Sequence, residues 1–202
     1  MKIINLFGGP GVGKSTLAAG VFSLMKLEGK DVELVTEYAK ELVWESVALE
    51  NLSQLNIFAN QYKRIARLDG KVEYVVTDSP LLLSSIYLTY NMDFDPALDK
   101  VIVHAHRYWE TRDFLVKRDP NRRFTEVGRW HNVTESDRIG EACAALLDKL
   151  GSPYTLVPGN KTGITSIMQG VDNYLIHDNH KQLTKGNLGY NMRWEGEDNG
   201  TT

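Results

Sequence analysis

Eight consecutive residues, Gly8-Gly9-Pro10-Gly11-Val12-Gly13-Lys14-Ser15, fill every fixed position of the pattern G-x-x-x-x-G-K-[ST]. The chemistry this spacing serves is the capture of a polyphosphate. Main-chain N–H groups of a glycine-rich turn converge on anionic oxygens, and a following helix adds the positive end of its dipole. Lys14 supplies a point charge for the β and γ phosphates, and the Ser15 hydroxyl is of the type that ligates Mg²⁺. Gly8, Gly9, Pro10, Gly11, Val12, Gly13, Lys14, Ser15 and Thr16 are therefore expected to hold a nucleoside triphosphate.

Further chemistry-bearing residues follow strand-like runs. Asp78, in Val75-Val76-Thr77-Asp78-Ser79-Pro80, is placed to be the acidic partner of Mg²⁺ or a general base toward an attacking hydroxyl. The same residues also read as a helix N-cap. Glu37 has two readings as well, a carboxylate near the acceptor hydroxyl or a first-turn acid complementing a helix dipole. Gln61 and Arg64 lie one helical turn apart and can hold a base edge and a phosphate together, or form a solvated face. Between Lys117 and Asn132 the cations Lys117, Arg118, Arg122, Arg123 and Arg129 outnumber Asp119 and Glu126, giving +3 on an acidic chain. Such a loop suits an arginine lid that neutralises transferring phosphates, with Arg118 and Arg129 as the candidate catalytic cations. The turn Leu156-Val157-Pro158-Gly159-Asn160 either packs on an adenine ring or simply reverses the chain.

A cradle of this kind works only where a buried strand delivers it to a helix. Strand-like runs fall at Lys2–Phe7, Val32–Thr36, Glu73–Thr77, Asp113–Lys117 and Tyr154–Val157. Helical patterns fall at Lys14–Glu28, Glu37–Leu49, Ser53–Leu68, Leu81–Tyr90, Pro96–Glu110 and Glu135–Leu150. The alternation, with the phosphate loop after the first strand, predicts an α/β fold of the P-loop NTPase type: three layers, a mostly parallel five-stranded sheet and an arginine-rich lid. Ligands of such sheets bind beyond the carboxyl ends of the strands. From Ile176 the composition turns polar, so residues 1–175 form the expected P-loop domain and 176–202 a polar tail. That tail is mobile, or else an arm contacting nucleic acid through Lys181, Lys185, Arg193, Tyr190 and Trp194.

The 202 residues are 42% apolar and 24% charged, enough for one ordinary core. A net charge of −3 argues against general nucleic-acid binding. One cysteine, Cys143, permits no internal disulfide, and no apolar run approaches membrane-spanning length. The expectation is a cytoplasmic protein with no membrane association.

The phosphate loop with its leading strand, Thr36-Glu37-Tyr38-Ala39-Lys40-Glu41, Thr77-Asp78-Ser79-Pro80 and the lid up to Gly128-Arg129 resemble a group of bacteriophage phosphate-loop kinases. These are related to thymidylate kinases and nicotinamide riboside kinase domains. Within the group the chain is most similar to 5-hydroxymethyluracil DNA kinases of phages with hypermodified thymines, over about residues 1–175. The resemblance implies ATP-dependent transfer of the γ-phosphate to the hydroxymethyl group of 5-hydroxymethyluracil in DNA. It implies ATP and Mg²⁺ as cofactors, Ser15 and Asp78 as metal ligands, and the cytoplasm of an infected host as location. Gln61 and Arg64 then serve a pocket for a flipped base. The alternatives are a nucleoside or deoxynucleoside monophosphate kinase with a small acceptor, and an ATP-binding switch protein.

Overall fold

The computed structural model describes residues 1–48, 53–90, 94–121, 124 and 130–182, with side chains described through 171. Five strands, β1 (Lys2–Phe7), β2 (Val32–Val35), β3 (Tyr74–Thr77), β4 (Glu110–Lys117) and β5 (Tyr154–Pro158), form one sheet in the order β2-β3-β1-β4-β5. Every pairing is parallel, so the expected mostly parallel sheet is wholly parallel. Among the described residues seven helices connect or follow the strands: α1 (Lys14–Leu27), α2 (Ala39–Trp44), α3 (Gln54–Ala66), α4 (Leu83–Tyr90), α5 (Pro96–Tyr108), α6 (Val133–Leu150) and α7 (Lys161–Gln182).

Period-two alternation in the strands builds two cores. Ile4 and Leu6 of β1 pack with Leu17, Val21 and Met25 of α1 and Ile167 and Val171 of α7. Ile3 and Phe7 face the other way, against Phe58 and Ile65 of α3, Ile102 of α5 and Ile139, Cys143 and Leu147 of α6. A strand buried on both faces reads as a continuous apolar run, and Val75-Val76 and Phe114-Leu115-Val116 are of that kind.

Three elements depart from the sequence reading. The helix expected over Glu37–Leu49 is only Ala39–Trp44, since Ser46 adopts a left-handed φ of 59° just beyond it. The helix expected to run to Glu110 stops at Tyr108; Trp109 is already extended, and Glu110 opens β4 opposite Lys2. Helix α7 was not anticipated at all. It starts after the β5 turn, and its backbone continues past Ile176 to Gln182. Residues 183–202, with most of the polar tail, lie outside the described residues.

Candidate active site

Strand β1 is central, with β3 on one side and β4 on the other, so three strand ends converge on one rim. The β1 end carries the phosphate loop. Gly8, Gly11 and Gly13 have φ of 134°, 77° and 113°, backbone that side-chain-bearing residues rarely adopt. Gly13 opens α1 without a side-chain cap, and the first turn of α1 holds no acid. Its early N–H groups are thus left for an anion from outside the helix. Lys14 is buried, and its Nζ donates to Gly8 O at 2.8 Å and Gly9 O at 2.9 Å. Ser15 and Thr16 are exposed on the rim.

The β3 end carries Asp78, buried at 3% exposure. Its Oδ1 has no hydrogen-bond partner among the described residues. An orphaned buried carboxylate oxygen is costly in a purely structural role and is what a cation site requires. Helix α4 begins only at Leu83, so Asp78 is not in its N-cap position. The backbone there is set by Thr77 Oγ1, which accepts the Ser79 N–H at 3.1 Å. No cluster of three or more His, Cys, Asp or Glu occurs among the described residues. A magnesium ion fits that set, since it is commonly held by one carboxylate, a hydroxyl and the phosphates themselves.

Glu37 lies beyond the end of β2 and before Tyr38, the N-cap of α2, so it is not a first-turn acid. Its carboxylate, after burial itself, raises the Tyr87 phenol well above the ordinary tyrosine range. The Tyr87 ring in turn lies 5.7 Å from that of His131, and Tyr90 lies 5.8 Å from the same imidazole. Burial holds His131 below its usual 6.5; Glu135 opposes this and the Lys14 cation adds to it. Tyr87 and Tyr90 therefore flank the His131 ring; Glu37 acts electrostatically on Tyr87, and Lys14 on His131. Sequence reasoning missed His131, Tyr87 and Tyr90. The available signal was the capping box of α6, where Asn132 accepts from Glu135 N and Glu135 accepts from Asn132 N. It fixes Asn132, the residue after His131, at the start of α6.

Gln61 and Arg64 do share one side of α3, but their polar groups are engaged with protein. Gln61, 2% exposed, accepts the Tyr38 N–H at 3.0 Å and donates to Thr77 Oγ1 at 3.5 Å. It brackets the ends of β2 and β3 together. Arg64 pairs with Glu41 at 2.5 Å and lies 5.0 Å from the Tyr38 ring centroid. Arg118, at the β4 end, is bound to Ser136 and Asp137 of α6. Arg129 lies outside the described residues, as do Arg122 and Arg123.

On the opposite flank of the loop, a cavity of about 340 Å³ is lined by Thr16, Leu17, Asp119, Asn160, Lys161 and Ile164, among others. Its floor is close-packed: Gly159 donates to Lys117 O at 2.8 Å, and a Cβ there would fall 1.9 Å from Val12 O. Asn160 donates to Asp119 at 3.1 Å across the mouth. The β5 turn thus abuts the phosphate loop.

A parallel sheet whose central strand delivers a glycine loop to an uncapped helix, flanked by a buried aspartate, defines a P-loop protein of kinase-like fold. The AAA domain family model matches residues 3–164, and the chain belongs to that family. Solved structures share the fold, two among them as follows. The NadR protein in complex with NR superposes with a TM-score of 0.68 at 15% identity, over 86% of this chain and 51% of that one. The chain thus spans about half of that relative's length. Thymidylate kinase from Ehrlichia chaffeensis superposes with a TM-score of 0.54 at 16% identity, over 86% of this chain and 98% of that one. No curated protein matches the sequence. Among the described residues no helix is long and apolar enough to cross a membrane.

Proposed function

We propose that this protein is an ATP-dependent kinase whose acceptor is the hydroxymethyl group of 5-hydroxymethyluracil in DNA, a step in thymine hypermodification. The observation that carries the phosphotransfer reading is the buried, unpartnered Asp78 Oδ1 one strand away from the phosphate loop. The cavity beside Thr16 and Gly159 takes the donor base, and the loop amides with Lys14 take its phosphates. Ser15 and Asp78 would hold Mg²⁺, which supplies charge neutralisation for the phosphates when bound.

The acceptor oxygen attacks the γ-phosphorus as the bond to the β–γ bridging oxygen breaks, releasing ADP. Glu37 takes the hydroxyl proton. Lys14 follows the charge that moves onto the bridging oxygen. The rings of Tyr87, His131 and Tyr90 give a planar acceptor base a surface to lie on. Tyr87 remains a protonated donor at neutral pH because burial and Glu37 both disfavour the phenolate.

A second reading, phosphorylation of a mononucleotide or nucleoside by the same machinery, is supported by the net charge of −3, which opposes a polyanionic acceptor. Incubation with γ-labelled ATP and either hydroxymethyluracil-containing DNA or the free nucleotides separates the two. Mass analysis of nucleosides released from the DNA should give a phosphorylated base. Label confined to the mononucleotides would replace the polymer acceptor with the small one. Label in neither would remove the kinase reading.

A further inference from the structure

Arg118 stands where a lid cation is expected, yet its guanidinium is committed to protein. Nη2 donates to Ser136 Oγ at 2.7 Å and to Asp137 Oδ1 at 2.9 Å, while Nε donates to the same Asp137 oxygen at 3.1 Å. Its Cζ lies 5.0 Å from the ring centroid of Phe124 in the basic loop. Ser136 then donates to Pro10 O at 2.6 Å, inside the phosphate loop. We propose that Arg118 is a positioning residue: through Ser136 it clamps the Gly9–Pro10–Gly11 segment and makes triphosphate affinity depend on Phe124.

The physical chain has three links. A serine hydroxyl has one proton, and accepting from Arg118 leaves that proton for the Pro10 carbonyl. No cis peptide occurs among the described residues, and a planar trans peptide points its N–H opposite to its C=O. Fixing Pro10 O against α6 therefore turns the Gly11 N–H away from α6, as an anion-binding loop requires. The anchor is itself stiff, because the capping box fixes the first turn of α6 and Ser136 N donates to Asn132 O at 3.0 Å. Phe124 completes the link, as a ring against the guanidinium holds its fork in the plane that reaches Ser136.

This inference rests on the donor-site reading above, so the test measures binding and not turnover alone. The full-length chain is titrated with a non-hydrolysable ATP analogue and Mg²⁺, and the melting temperature of each nucleotide-free variant is recorded alongside. Arg118→Ala and Ser136→Ala should each weaken analogue binding by roughly tenfold, the scale of a lost charge-assisted hydrogen bond. The double variant should lose little more than either single one. Phe124→Ala should weaken binding in the same direction by a smaller factor. Where Arg118→Ala fails to fold, Arg118→Lys and Ser136→Ala give the same comparison. Unchanged affinity in Arg118→Ala with reduced turnover would overturn the proposal in favour of direct phosphate contact, and additive losses would overturn it too. A wild-type chain that binds no analogue would instead sink the donor-site reading, and the clamp with it.

Discussion

Gly9 occupies a variable position of the phosphate-loop pattern, so nothing in that pattern forbids alanine there. The structure does. A Cβ on Gly9 would lie 1.9 Å from Ser136 O, 2.6 Å from Ser136 C and 2.6 Å from Ser136 Oγ. Ordinary contact begins at 3.4 Å, so the overlap with the carbonyl oxygen is about 1.5 Å. Rotating a side chain cannot relieve it, because the obstructing atoms include main chain of the capped α6 helix. That helix is also pinned by buried Ile139, Cys143 and Leu147. Either the loop or α6 must move. Overpacking of this kind costs about 1–3 kcal/mol, and a backbone obstruction belongs at the upper end. At about 2–4 °C per kcal/mol for a chain of this size, Gly9→Ala should melt roughly 6–12 °C below wild type. It should also lose ATP binding, since the loop amides would be displaced. Gly70→Ala is the control: its φ is 70° and nothing lies within 4 Å, so only about 1–2 kcal/mol of backbone strain is expected. Thermal unfolding with and without Mg-ATP measures both quantities. A Gly9→Ala chain melting within about 2 °C of wild type, with affinity intact, would refute the close seating of α6 on the loop.

Three further outcomes are expected. Asp78→Asn removes a buried charge with an unpartnered oxygen, so its nucleotide-free melting temperature should equal or exceed wild type. The same variant should lose the Mg-ATP stabilisation, about 2.7 kcal/mol at a hundredfold excess over Kd, and a retained Mg-dependent rise in melting temperature would remove Asp78 from the metal site. Lys14→Ala should bring ATP binding and phosphotransfer below detection, as the phosphates lose their cation and Gly8 O and Gly9 O lose their shared donor; binding at the wild-type level would reject the donor site. For His131 the folded imidazole titrates below 6.5, so the unfolded chain binds more protons in mildly acidic solution. Stability from neutral His131 is full above pH 6.5 and is lost as pH falls through the lowered folded value. Chemical denaturation between pH 5 and pH 7 should show a shallower slope in His131→Gln, and an unchanged slope would place the imidazole in water.

What the sequence made legible was local, and what it hid was set by contact. The five strands and the loop between Gly8 and Ser15 rest on apolar runs and on glycines at positive φ, which neighbouring residues largely determine. Gln61 shows the opposite case, because a glutamine one turn from an arginine looks solvated until α3 docks. It then becomes the bracket between Tyr38 N and Thr77. Helix α7 was hidden by its glycines, though Ile164, Ile167, Met168 and Val171 recur at helical spacing. Gly163 and Gly170 count against a helix by propensity, yet each stands where a Cβ would meet a neighbour, Pro158 O at 2.0 Å and the Phe114 ring at 3.0 Å. Gly20 of α1 does the same for Ile164, whose Cδ1 would lie 2.5 Å from its Cβ. Glycines that weaken each helix alone let α1, α7 and β5 close up beneath the phosphate loop. The stability they forgo locally is recovered in the packing that fixes the site.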